Sequence, residues 1–312
     1  MKKFAIVSSI ILLLAIYVEK ASAQYYFYDN NYYDSPIMFE LGGGLGIMNC
    51  FTDIGGNKGV GKKFVKDLNL GKTKFAGSIY LSALYKNAIA LRLEGTFGEV
   101  TADDKVLKKV APSTYGRYER NLSFKSKITD FMLAAEIHPL FIFNKYDDDK
   151  EAPRYSPYIL AGVGFFSFKP QALLDGKWVD LQPLSTEGQG FAEYPNRKPY
   201  KLNQLNIPLG LGIKYELSST LNIRGEMVYR KLFTDYLDDV SSEYYADPVL
   251  YSNYFTGAKL TNALLLNNRQ YELDPAHGYN TSDQRGNPKN NDAYFTFNIK
   301  IGYNFGREKI KR

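Results

Sequence analysis

Two histidines, one cysteine and a run of three aspartates are the residues from which catalysis or metal chemistry could be built, and their spacing argues against both. A hydrolase site needs histidine beside serine, aspartate or glutamate. His138 precedes Pro139 at the end of one apolar segment, whereas His277 lies in a polar connection. The elements assigned below put these two histidines on opposite sides of a membrane, so no enzyme and no cofactor is expected. Cys50 is the single cysteine, which excludes an internal disulfide and a thiolate metal cluster. Asp147, Asp148 and Asp149 lack the spaced ligands and the glycine of an EF-hand loop and read as a solvated acidic turn. The charges that are suggestively spaced lie two residues apart: Arg92 and Glu94, Lys214 and Glu216, Arg224 and Glu226, together with Glu40 and Lys300. At that spacing they share one face of a strand. Their chemistry is mutual ion pairing inside an enclosed polar space, or, if the space is wet, a gated ion path.

The elements that carry these charges alternate with period two. From Ile89 to Gly98, Ile89, Leu91, Leu93 and Phe97 point one way and Arg92, Glu94 and Thr96 the other. A water-soluble sandwich would bury the apolar face, but a small membrane barrel turns it to lipid and keeps the charges inside. A leader supports the second reading. Met1-Lys2-Lys3, an apolar run from Phe4 to Val18 and Ala21-Ser22-Ala23 form a secretory signal peptide over residues 1–23, so the mature chain starts at Gln24 without a lipid-anchoring cysteine. That run is short for a retained transmembrane helix and no longer one follows, so any crossing must use strands. A mean hydropathy of −0.32 is too polar for a helical membrane protein and suits strands of which half faces a polar interior. The 26 tyrosines supply interfacial girdles. The net charge of +6 falls to about +4 when Lys2, Lys3, Lys20 and Glu19 leave with the leader, too little to indicate a nucleic-acid partner.

Eight strands are expected between residues 37 and 306, behind a Tyr- and Asn-rich lead at 24–36 and ahead of a basic tail at 307–312. They are placed at Ile37–Met48, Ala76–Tyr85, from Ile89, within Leu122–Phe143, at Pro157–Phe168, at Leu205–Tyr215, from Leu221 and at Phe295–Phe305. Glycines on the inward face of the first should make room for another strand's side chain. In the fourth, Phe131, Leu133, Ala135 and Ile137 share one face and Phe124 and Ile128 the other, so a bulge near Thr129 is expected. The fifth is apolar on both faces and its orientation is open. Pro208 cannot donate to a ladder, and a bulge is expected there too. Long and short connections alternate. The reading is an all-β, antiparallel, up-and-down barrel in the outer membrane of a Gram-negative bacterium, with long extracellular loops, short periplasmic turns and membrane lipid as its first partner. An eight-stranded barrel is filled by its own side chains. The interior network expected is Arg92, Glu94, Lys214, Glu216, Arg224, Glu226 and Lys300, and no small-molecule substrate is evident.

Three segments are specific enough to suggest a family: Pro183-Leu184-Ser185-Thr186-Glu187-Gly188-Gln189-Gly190, Asn203 to Gly210, and Thr234-Asp235-Tyr236-Leu237-Asp238-Asp239-Val240-Ser241. Together they resemble the PorG-like outer-membrane barrels of Bacteroidota over about Ile37 to Phe305. That resemblance implies a part in type IX protein secretion, next to a periplasmic ring made of a lipoprotein and its partner. The last motif also has a physical reading: Asp235 and Asp238 accept backbone N–H groups in turns while Tyr236 and Leu237 pack over the barrel mouth as a plug. Because topology puts this motif outside the cell, a periplasmic ring would be met by Asn144–Ser156, Ser218–Thr220, Gln24–Asp34 or Arg307–Arg312. The other reading is a surface-exposed structural or adhesive barrel whose long loops contact extracellular ligands.

Overall fold

A computed structural model describes residues 32–57, 68–107, 112–143, 153–218, 220–276 and 280–309. The leader, most of the Tyr-rich lead, the Asp147–Asp149 turn and His277 lie outside them. Among the described residues nine strands form: β1 (Tyr32–Phe51), β2 (Lys74–Tyr85), β3 (Ile89–Asp103), β4 (Ser123–Ile137), β5 (Tyr155–Leu174), β6 (Lys177–Asp180), β7 (Asn203–Glu216), β8 (Leu221–Leu232) and β9 (Ala293–Lys309). Eight are staves of one antiparallel cylinder in the order β4-β3-β2-β1-β9-β8-β7-β5, which β4 and β5 close by pairing with each other. The ninth, β6, folds back on the far end of β5 as a small hairpin, so the segment 169–200 is not one loop. No helix among the described residues is long and apolar enough to cross a membrane.

Side-chain parity gives the cylinder an apolar outside. Odd-numbered residues on β1, β3, β5, β7 and β9 point out, and Leu45, Val163, Leu211 and Ile301 are 60–78% exposed. Water would not tolerate such a continuous belt, and lipid does. The open orientation of the fifth strand resolves the same way: Ile159, Val163 and Phe165 face out, and Ser156, Tyr158, Leu160 and Phe166 face in. Short connections lie at one end, at 86–88 and 217–220. The longer ones, at 52–73, 104–122, 175–202 and 233–292, lie at the other. Lys86 and Asn87 both have positive φ (50° and 57°), the backbone of a tight hairpin turn whose twist matches its strands.

Neither expected bulge forms. The β3–β4 and β4–β5 registers run without a shift through Thr129. Phe124 and Ile128 face inward because the upper lumen is apolar: with Met48, Val100, Phe166, Phe168 and Leu232 they join one core with residues of the long connections. At Pro208 the β5–β7 ladder skips the two positions between Ala161–Leu209 and Gly164–Asn206 and resumes in the same register, so proline's missing donor costs a gap rather than an extra residue. The outermost strands also run longer than their apolar pattern. Beyond an irregularity between Asp34 and Phe39, β1 pairs Tyr32, Tyr33 and Asp34 with Lys309, Glu308 and Arg307, so the tail's first residues are strand.

Inward glycines are where the lumen's tyrosines lie. The Tyr80 ring crosses to Gly42, where an added Cβ would sit 2.5 Å from its Cζ, and Tyr158 lies the same way over Gly212. Gly42→Val is expected to push Tyr80 off its seat and destabilise the folded barrel by about 1–3 kcal/mol. Urea titration in detergent micelles checks this, and a midpoint equal to wild type would refute the packing role.

Candidate functional site

The lumen is layered. Met38, Leu84 and Ala90 close the short-turn end, and the apolar core just described fills the long-loop end. Between them sits a knot of charge to which five staves contribute ionised groups and two more contribute tyrosines. Arg224 (β8) holds Glu40 (β1) through Nε at 2.8 Å and Nη2 at 2.6 Å, and reaches Glu136 (β4) through Nη1 at 3.0 Å. Arg92 (β3) pairs with Glu94 at 3.1 Å and with Glu136 and Glu226 in very short contacts. Lys300 (β9) bridges Glu94 at 2.7 Å and Glu226 at 2.6 Å. The rings of Tyr80 (β2) and Tyr158 (β5) lie against both guanidiniums at 5.1–5.5 Å, with Tyr80 donating to Glu40 and Tyr158 to Glu226. Closer to the loops, Arg230 holds Asp130 at 2.6 Å and Thr296 at 2.9 Å. Lys214 and Glu216 pair with each other at 2.8 Å. The side chains of Arg92, Arg224, Glu94, Glu136, Glu226 and Lys300 are fully buried, so each charge is matched by an opposite charge instead of water.

Of the seven network residues read from sequence, five meet in the knot and the Lys214–Glu216 pair stands apart from it. Glu136, Asp130, Tyr80 and Tyr158 were missed. Glu136 and Asp130 carry the same even parity as Met132 and Ala134, a signal hidden by the expected bulge.

His138 lies at the edge of this layer. Its Nδ1 is 2.8 Å from Ser156 Oγ and its Nε2 is 3.3 Å from Glu136, a serine–histidine–glutamate contact that sequence spacing did not reveal. All three side chains are buried, and Glu136 is shared with two arginines, so the carboxylate is committed to ion pairs and the hydroxyl is covered.

The long connections fold into a cap, and the loop motifs meet there. Thr186 donates to Asp239 Oδ2, and Tyr200 donates to Asp239 Oδ1 at 2.5 Å. The Glu187 carboxylate accepts Ser241 N at 3.1 Å and Ser242 N at 2.9 Å, while Arg285 Nη1 pairs with it at 2.7 Å. Pro183 opens the motif inside the 3-10 turn Gln182–Leu184. Gln189 Oε1 takes Glu187 N, and Gly188 and Gly190 adopt φ of 70° and 85°, which side chains resist. From the other motif, Leu237 is fully buried and Tyr236 stacks on Tyr200 at 4.6 Å. Thr234 Oγ1 accepts Tyr236 N. Asp238 accepts Ile54 N and Val240 N, and Val240 packs in the core. Arg285, at the centre, came from a connection without periodicity that gave no signal.

Under the cap Asp235, Asp238, Asp53 and Asp292 crowd together. Burial, then the neighbouring Asp53 and Asp238 carboxylates, push Asp235 up to about 9, and its Oδ2 has no hydrogen-bond partner. Burial, then Asp53, raises Asp238 to about 8; burial and the neighbouring aspartates also raise Asp292. Burial raises Asp53 against the hydrogen bond from Asn287 N. The described residues contain no group of acids arranged to hold a metal. A carboxyl with a raised folded pKa keeps its proton in the cap and loses it in the unfolded chain near pH 4. Stability therefore falls as pH rises from about 4 to about 9, by up to about 1.4 kcal/mol per unit for one such group. Asp235→Asn is expected to flatten this dependence and to gain on wild type between pH 6 and pH 8. Melting curves at the two pH values check it, and parallel curves would refute it.

Together, a closed antiparallel cylinder, an apolar outer face, an ion-paired lumen and a capped mouth define a membrane-spanning β-barrel without an open pore. The chain belongs to the family described as Domain of unknown function (DUF6089), whose profile matches residues 59–255. No curated protein matches the sequence. Similar solved structures include Ail, the attachment invasion locus protein of Yersinia pestis, at 10% identity and TM-score 0.38, over 87% of this chain and 100% of that one. OprG, an outer membrane protein of Pseudomonas aeruginosa, is 11% identical with TM-score 0.37, over 89% and 99%. Neisserial surface protein A is 8% identical with TM-score 0.37, over 88% and 99%. Likeness at that level leaves the fold to rest on the strand pairing itself.

Proposed function

We propose that this protein is a non-enzymatic structural or assembly component of the outer membrane of a Gram-negative bacterium, acting in type IX protein secretion as the PorG-like resemblance implies. The observation that carries the non-pore, non-enzyme part is the sealed lumen. Arg92, Arg224 and Lys300 are locked among four glutamates with an apolar plug above them, which supports a role for the barrel's surfaces. Placing the short turns and both strand ends in the periplasm follows the usual orientation of such barrels. The paired ends Tyr32–Asp34 and Arg307–Lys309, which continue the sheet beyond the belt, then offer the periplasmic ring of a lipoprotein and its partner a docking edge. A tagged barrel, gently extracted from its native membrane, should bring down that lipoprotein and its partner in fixed ratio, and deleting residues 307–312 should release them. A clean barrel with no ring proteins would remove the secretion role.

The second reading, a surface-binding barrel, is favoured by a specific feature of the cap. Tyr244 and Val249 are exposed there, beside Tyr254, which is part-exposed and stacks on Phe191. Protease trimming of the loops on intact cells should abolish that function and spare the first.

A further inference from the structure

A groove of about 800 Å³ lies at the long-loop end, opening on the outer wall and reaching in under the cap. Phe51, Asp103, Tyr229 and Lys231 line its outer side with the odd parity that faces outward, and the even-numbered Cys50 and Ala102 line its inner side. The groove exists because β2 is short. Its ladder with β1 starts at Lys74–Met48, while β1 runs on to Phe51 and β3 runs on to Asp103. A notch in the wall results, roofed by the turn Leu70–Lys72 and by the chain entering β9. Directly below, Ile47, Met227 and Phe297 are exposed belt residues. At the boundary the rings of Phe51, Tyr229 and Phe295 gather with centroids 5.6–6.4 Å apart, as aromatic side chains do at headgroup level.

The charges in this groove are unequal in availability. Asp103 is engaged by Lys72 at 3.4 Å and by Lys105 N at 2.9 Å. Asp53 accepts Asn287 N at 2.6 Å and Asp292 accepts Leu237 N at 2.8 Å. Lys231 and Lys289 are exposed and have no ion-pair partner among the described residues, and the amides of Asn290 and Asn291 are exposed beside them. The free groups are thus two ammoniums and two amides, set at the depth of lipid headgroups. We propose that this groove binds the phosphate-bearing headgroup of an outer-leaflet glycolipid, with Lys231 and Lys289 pairing the phosphate and Asn290 and Asn291 meeting sugar hydroxyls. The assignment rests on the membrane-spanning reading given above. The volume is in the range of small-ligand sites.

The test uses the full-length barrel in detergent micelles, with native mass spectrometry reading bound lipid A carrying its phosphates, the same lipid stripped of phosphate, and phosphatidylcholine. Wild type should retain phosphorylated lipid A selectively, and Lys231→Gln with Lys289→Gln should weaken it roughly thirtyfold, at about a factor of five per lysine. Excess inorganic phosphate should not displace the lipid. Equal retention by the double variant, equal retention of the phosphate-free lipid, displacement by inorganic phosphate, or binding of calcium in place of lipid would each overturn the proposal. Heat-modifiable mobility after refolding into vesicles is scored separately. A barrel that inserts but ignores the lipid refutes the groove alone, and a barrel that never inserts refutes the membrane reading.

Discussion

Arg224→Ala is expected to be the most damaging substitution in the lumen, lowering stability by about 3–5 kcal/mol. Its guanidinium makes a two-pronged contact with Glu40 and a third bond to Glu136, and it lies between the rings of Tyr80 and Tyr158. Removing it strands two carboxylates where no water reaches, and the surviving Arg92 is already shared among Glu94, Glu136 and Glu226. The cost is the desolvation of unpaired charge rather than a few lost contacts. Pairing the change with an uncharged partner, Arg224→Met with Glu40→Gln, should recover a good part of the loss because an uncharged pair needs no counter-ion. Because the pairs are buried, moderate salt should leave both differences unchanged. Urea unfolding in micelles, followed by heat-modifiable mobility, measures all of this. A single variant as stable as wild type would mean that the lumen is wet and the knot is not the lock described here.

That knot was partly legible in the sequence, and the reason is the period of a strand. Arg92, Glu94, Arg224 and Glu226 sit two apart in otherwise apolar runs, which fixes their common face. Which of them meet is set by stagger around the barrel, a property of eight registers at once, so Lys214 and Glu216 looked equivalent to the others and are not. Phe124 and Ile128 misled for a related reason. The assumption that a barrel interior is polar throughout turned an apolar inward residue into a sign of a bulge, whereas the cap extends its own core down between the staves. In the cap itself the motifs around Thr186 and Asp239 were visible as unusual sequence, but Arg285 was not. Loops position side chains by long-range contact without periodicity, so residues 99 and 46 positions apart meet without a local trace.

Glu187→Ala is expected to open the cap while leaving the strands closed. The carboxylate is the sole described ion-pair partner of Arg285 and also holds the N–H groups of Ser241 and Ser242. Its loss leaves a buried guanidinium without a directly paired carboxylate, held by Thr186 Oγ1, the carbonyls of Asn267 and Asp239 and the Tyr245 ring, a deficit of about 3 kcal/mol. The charge knot draws on the staves and on no residue of the connections, so the loss should stay local. Amide exchange and protease cleavage within 233–292 should therefore speed up by roughly a hundredfold or more, which is what about 3 kcal/mol of local opening gives. Heat-modifiable mobility of the barrel should persist. Glu187→Gln, which keeps an acceptor but no charge, should fall between the two. Loss of the barrel together with the cap would show that the apolar layer from Met48 to Leu266 couples them into one cooperative unit, and that the knot cannot hold the cylinder by itself.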